Sequence, residues 1–161
     1  MHPLPLLVLA LWCALLSYVD LRAHRLPNLL TLPGAVAVLG YGFATGRGTI
    51  AVLGALLLAV PYLLVHLCAP AALGAGDVKL ALGLGAATAL GGAQCWVWAA
   101  LAAPVLTALA GVGSIAAQAV RPGNMAGQKL PAGTFSGAAI GTVAHGPAMC
   151  AASVVALLAT P

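Results

Sequence analysis

The chain has 161 residues, of which 63% are apolar and only 5% charged, against about a quarter charged in an ordinary soluble domain. That hydrophobicity excludes a disordered chain, and so few charges cannot cover a soluble globule of this size. What remains is an integral membrane protein, read as one membrane-embedded domain over residues 1–161, whose only two acids are Asp20 and Asp77.

Apolar segments in lipid must satisfy their backbone internally, as helices or closed barrels. Continuous apolar runs, rather than alternation, favour helices. The expected fold is therefore all-α, a polytopic transmembrane bundle of about six helices. The first run extends from Leu4 to Val19. Its start has no basic segment and no A-x-A cleavage site precedes Asp20, so it reads as a retained helix rather than a signal peptide. DLRAHRLPN follows, the most polar stretch of the chain. The second run, Leu29 to Phe43, ends at Ala44-Thr45-Gly46-Arg47-Gly48. The third spans Thr49 to Cys68 and stops near Pro70. The fourth starts at Asp77 or Val78 and ends near Gly91-Gly92. The fifth spans Cys95 to Val120, with a bend expected at Pro104. A second polar loop, RPGNMAGQKLPAG, precedes the sixth run, Thr134 to Leu158.

With six spans, the loops holding Arg22, Arg25, Lys79, Arg121 and Lys129 share one side, and only Arg47 lies on the other. The positive-inside bias makes the first side cytoplasmic. Both acids then fall at the cytoplasmic membrane face, although helix assignment made no use of them. Gly133, Gly137 and Gly141 repeat every four residues, as do Gly42 and Gly46. Such spacing is read as close helix packing within the monomer in preference to dimerisation. Cys13, Cys68, Cys95 and Cys150 form no CxxC and no zinc-finger spacing, so they read as small buried hydrophobes. The dispersed basic residues give no nucleic-acid surface.

Two constellations carry chemistry: Tyr18-Val19-Asp20-Leu21-Arg22 with Leu26-Pro27-Asn28, and Gly74-Ala75-Gly76-Asp77-Val78-Lys79-Leu80. A carboxylate at the centre of a membrane helix costs about 2.5–3.5 kcal/mol on insertion scales, less at the interface. Two readings are open. Asp77 caps the fourth helix and Asp20 is the solvated end of the first, or the two act as a pair. Gly74 and Gly76 lack a Cβ and would let the chain turn and a peptide backbone approach Asp77. Paired carboxylates can hydrolyse a peptide: one takes a proton from water, and the other, protonated, polarises the scissile carbonyl. At about 4 Å and an effective dielectric near 20, their repulsion is about 4 kcal/mol, enough to keep one proton shared by the pair. No cofactor or metal is required.

The segments DLRAHRLPNLLTLP and GAGDVKLALG follow the patterns D-x-R-x-x-R-[IL]-P-N-x-x-[ST] and G-x-G-D-x-K-L. In this the sequence resembles the type IV prepilin peptidases, GxGD aspartic proteases of the membrane. KLPAGTFSG is similar to the family's proline- and glycine-containing segment, extending the resemblance from Asp20 to Gly137. The resemblance implies a catalytic pair, Asp20 and Asp77, and cleavage of the basic leader from prepilin or pseudopilin precursors at the cytoplasmic face of the bacterial inner membrane. Gly74, Gly76, Asn28, Lys79, Pro131 and Gly133 become candidates for substrate binding or loop shaping. Longer members carry a cytoplasmic insertion with paired CxxC motifs, associated with zinc and N-methylation. This chain lacks it and looks like the short form that serves Flp-type (tight-adherence) pili, without methyltransferase activity. Ala132 stands where related segments often have an aromatic residue.

Arg22, Arg25 and Lys79 read first as contacts to anionic lipid headgroups and second as partners of the carboxylates. His66 and His145, the latter expected mid-span in the sixth helix, read first as packing residues and second as a proton relay. The rival function is a small proton- or cation-coupled transporter using the same two carboxylates. That reading expects them at the midplane between broken helices.

Overall fold

The computed structural model describes residues 3–23, 28–68, 73–119 and 145–159. The described residues form six helices: α1 (Pro3–Ala23), α2 (Asn28–Ala44), α3 (Gly48–Cys68), α4 (Ala75–Gly91), α5 (Ala93–Ala119) and α6 (His145–Ala159). The protein is thus an all-helical bundle, as the apolar runs predict. Two helices, α1 from Leu4 to Arg22 and α3, are long and apolar enough to cross a membrane. α2, the Ala93–Leu109 part of α5, and α6 are shorter apolar helices. Pro33, Pro61 and Pro104 all lie inside their helices.

α4 is the centre. It packs against α2, α3, α5 and α6, while α1 rests mainly on α6. Most of α4 from Leu80 to Leu90 is buried although its composition is mild, rich in Ala and Gly. Small side chains let neighbouring backbones approach, the usual source of helix association where lipid supplies no hydrophobic drive. α3 and α4 approach backbone to backbone. A Cβ added to Gly85 would stand 2.5 Å from the Gly54 carbonyl oxygen, and one added to Gly54 would stand 2.6 Å from the Gly85 carbonyl oxygen.

The outward faces are apolar as well. On α1, Leu4, Leu7, Leu11 and Leu15 are exposed, and on α3 Leu53, Leu57, Val60, Leu64 and Leu67 are. Leucine stripes on the outside of a bundle suit lipid and would be untenable in water.

Hydrogen bonds between helices gather at two opposite ends. At one end, Arg47 Nη1 donates to the Leu90 carbonyl oxygen at 2.7 Å, and Trp96 Nε1 donates to the Gly54 carbonyl oxygen at 3.1 Å. Arg47 thereby satisfies a carbonyl of the last turn of α4 and faces its negative dipole end. Toward the other end, Trp12 Nε1 donates to the Leu30 carbonyl oxygen at 2.9 Å. The remaining contacts at that end belong to the candidate site.

Several expectations are corrected. Gly42 and Gly46 are not one helix-packing motif. Gly42 admits the Ala51 side chain of α3, whereas Gly46 has φ +71° and makes the turn between α2 and α3. Cys13, Cys95 and Cys150 are buried, but Cys68, at the last position of α3, is exposed. The described part of α6 begins at His145, and the stretch from Thr134 that would make it mid-span lies outside the described residues. Gly133, Gly137, Gly141 and the 121–133 loop lie outside the described residues.

Candidate active site

Asp20 lies in the last turn of α1. Its helical face is set by spacing: Leu9, Cys13, Leu16 and Asp20, separated by four, three and four residues, are the buried positions of α1. Residues at those intervals share one face of a helix, so Asp20 continues the inward stripe while Leu21 and Arg22 face outward. Only 6% of Asp20 is exposed.

Asp77 reaches the interior by the same logic. Asp77, Leu80, Ala81 and Leu84 form the buried stripe at the start of α4, and Asp77 is 9% exposed. α4 has 17 residues, about 25 Å at 1.5 Å per residue, short of a 30 Å hydrocarbon core. The helix begins two residues earlier than expected, because Gly74 and not Asp77 is the N-cap. Asp77 is the third helical residue. Its Oδ2 accepts the Gly74 N–H at 3.2 Å while its own N–H donates to the Gly74 carbonyl oxygen at 3.1 Å. The acid is therefore held by its own helix terminus, in the manner of the acidic half of a capping box.

The two carboxylates lie within electrostatic reach of each other. The charge of Asp20 acts on Asp77 and on His145, and the charge of Asp77 acts on Tyr62. Both act on Cys150, which lies beside Cys13 and Ser17. Tyr62 Oη and His145 Nε2 stand 3.3 Å apart, with ring centroids at 5.6 Å. The interior end of the bundle therefore gathers Asp20 from α1, Tyr62 from α3, Asp77 from α4 and His145 from α6. Tyr62 was not singled out from the sequence. Its signal was a phenol in an otherwise apolar run, four residues before His66 and so on the same helical face.

The other candidates divide. Asn28 opens α2 and is exposed, and its Oδ1 accepts from Lys79 Nζ at 2.7 Å. This bond joins the two motif segments directly. Gly74 has φ −73° and ψ 149°, ordinary extended backbone open to any residue. A Cβ there would meet nothing closer than Asp77 Oδ2 at 3.4 Å. The expected tight turn is therefore absent at Gly74; what the glycine provides is open space beside the carboxylate. Gly76 is half-buried in the first turn of α4. Arg22 stacks on exposed Tyr18, its guanidinium carbon 5.2 Å from the ring centroid. His66 Nδ1 contacts the Leu73 carbonyl oxygen at 2.7 Å. Arg25, Pro131 and Gly133 lie outside the described residues.

Fold and site together define a helical membrane protein with two inward-facing carboxylates near one end of its bundle. Residues 7–118 match the model of the type IV leader peptidase family, and the chain belongs to that family. Its general role is that of a prepilin-type leader peptidase, of the aspartic class, acting on pilin-type precursors. The matched span includes both Asp20 and Asp77 and ends before Pro131 and Gly133. Comparisons with curated proteins and with solved structures find no match.

Proposed function

We propose that the protein is a short-form, Flp-type prepilin peptidase in which Asp20 and Asp77 form the catalytic pair. The observation that carries this reading is that the only two acids in the chain both lie buried on inward helical stripes, near enough for the charge of Asp20 to reach Asp77. In the proposed reaction one carboxylate, ionised, takes a proton from a water molecule, and the water oxygen attacks the scissile carbonyl carbon. The other carboxyl, protonated, hydrogen-bonds the carbonyl oxygen as it gains charge. Collapse of the tetrahedral intermediate breaks the C–N bond, and a carboxyl proton passes to the leaving amine. Two charges held close cannot both remain ionised cheaply, which supplies the one proton this scheme needs.

The substrate is proposed to be a prepilin or pseudopilin whose apolar helix lies in lipid while its basic leader stays at the cytoplasmic face of the bacterial inner membrane. Arg22 and Lys79 would repel such a leader, so they are not assigned to leader recognition. The positions of the acids, in the last turn of α1 and the first turn of α4, favour hydrolysis at an interface over transport through a midplane site. Gly74, with open space beside Asp77, is proposed to admit the substrate backbone. Neither a metal nor a cofactor takes part in the proposed scheme.

The test is cleavage of a co-expressed prepilin. Asp20→Asn and Asp77→Asn are each expected to lower cleavage by at least about a thousandfold while the protein still inserts in the membrane. Full cleavage by either variant would remove the pair from the mechanism.

A further inference from the structure

The peptide unit between Leu73 and Gly74 is held from both sides. Its carbonyl oxygen lies 2.7 Å from His66 Nδ1, and its N–H donates to Asp77 Oδ2 at 3.2 Å. A carbonyl oxygen can only accept, so Nδ1 carries the proton in this contact. His66 stands in the last turn of α3, half-buried, and Leu73 is buried just before α4. One peptide plane therefore connects the end of α3 to the carboxylate in the first turn of α4.

The geometry gives the contact a consequence. A peptide unit is planar, with its C=O and N–H pointing in opposite directions. Holding the carbonyl of Leu73 therefore holds the direction of the Gly74 N–H, and with it the direction from which Asp77 Oδ2 is gripped. A hydrogen bond at the carbonyl also polarises the amide and strengthens the N–H as a donor, by about 10–30% per bond. Without His66 the Gly74 N–H would still belong to the N-cap, but nothing else known at this peptide would tie it to α3.

We propose that His66 is a positioning residue for the peptidase reaction, orienting Asp77 through the Leu73–Gly74 peptide. The inference rests on the reading of Asp77 as a catalytic carboxylate. It differs from the relay role: the ring Nδ1 reaches the backbone rather than the carboxylate. It also ties Asp77 to the helix that carries Tyr62, one turn earlier on the same face as His66.

The experiment compares wild type, His66→Leu and His66→Asn in prepilin cleavage by the full-length protein in proteoliposomes, with Asp77→Asn alongside. Leucine keeps bulk without a donor, whereas the asparagine amide nitrogen sits where Nδ1 does. His66→Leu is expected to lower kcat about tenfold, the order of loss that a displaced catalytic group brings, with KM changed less than about twofold. His66→Asn should recover most of that loss. Equal loss in both variants, loss confined to KM, or no loss would overturn the proposal. A second readout needs no cleavage. Hydrogen exchange at the Gly74 amide should quicken about tenfold in His66→Leu and return toward wild type in His66→Asn, with α4 core amides unchanged. Unchanged Gly74 exchange in His66→Leu would also overturn it. Cleavage by Asp77→Asn would instead overturn the carboxylate-pair reading beneath it, and is told apart by that variant alone.

Discussion

Lys79 Nζ donates a 2.7 Å hydrogen bond to Asn28 Oδ1, joining the start of α4 to the start of α2. These residues come from the two separate motif segments, 51 positions apart, so the bond registers one carboxylate-bearing segment against the other. It also sets up a test between the roles left open for Lys79. A lysine serving lipid headgroups would act independently of Asn28, whereas a lysine holding the segments together would not.

Lys79→Met and Asn28→Ala should therefore be non-additive. Each is expected to lower cleavage about threefold to tenfold, and the double variant should lose little more than the worse single one. Because the contact is exposed, its coupling is expected to be modest, about 0.5–1 kcal/mol. A double-mutant cycle on kcat/KM checks this. Full additivity would return Lys79 to the headgroup role.

The helices were legible because lipid-facing runs must be helical, and the limits of α1 to α5 lie within a few residues of the apolar runs, while the start expected for the sixth run at Thr134 lies outside the described residues. The start of α4 was misplaced for a physical reason. Aspartate is favoured at the N-cap, but an acid at the third helical position meets the same backbone donors and the same dipole. The inward placement of Asp20 was readable too, from its spacing to Leu9, Cys13 and Leu16. The Tyr62–His145 and His66–Leu73 contacts were not. Periodicity tells which face of a helix turns inward, but not which helix it meets there. The α1 stripe meets α6 and the α3 stripe meets α4, and those pairings depend on how small residues let whole backbones approach.

Gly74→Ala separates folding from substrate entry. Its backbone conformation suits alanine, and the added Cβ meets only Asp77 Oδ2 at 3.4 Å and Gly76 N at 3.9 Å. Stability should change by less than about 0.5 kcal/mol, read as an unchanged thermal midpoint in detergent. Cleavage should fall with a raised KM, because the methyl group occupies the open side of the carboxylate. An unchanged KM would show that the substrate backbone does not pass Gly74.

Gly85→Ala should do the reverse. Alanine gains up to about 1 kcal/mol in a helix interior, but the Cβ would stand 2.5 Å from the Gly54 carbonyl oxygen and 2.9 Å from Leu58 Cβ. Backbone is involved on the α3 side, so the clash cannot be relieved by a rotamer change. Overpacking of this kind costs about 1–3 kcal/mol and outweighs the propensity gain. A lower thermal midpoint is expected, with kcat per folded molecule changed little because Gly85 lies more than two turns along α4 from Asp77. A stabilised variant would mean that α3 and α4 can part without cost.

Asp77→Glu tests how far the carboxylate's placement, rather than its charge, matters. Glutamate keeps the acid and remains compatible with the first turn of a helix. It adds one methylene, which moves the carboxyl group outward by about 1.5 Å, one C–C bond length. In the native site that group is already committed, since Asp77 Oδ2 accepts the Gly74 N–H at 3.2 Å and Asp77 N–H closes the turn onto the Gly74 carbonyl oxygen. The glutamate must fold its side chain back to keep the first contact, or release it to extend toward Asp20. Either way the pair loses its spacing. A misplacement of about 1 Å can cost about a hundredfold in rate, so kcat should fall at least that far, although the net charge and the helix start are preserved. Circular dichroism and the thermal midpoint should match wild type, which separates the loss from unfolding. Glutamate activity within about tenfold of wild type would show that a carboxylate near this end suffices and that its grip by Gly74 is incidental.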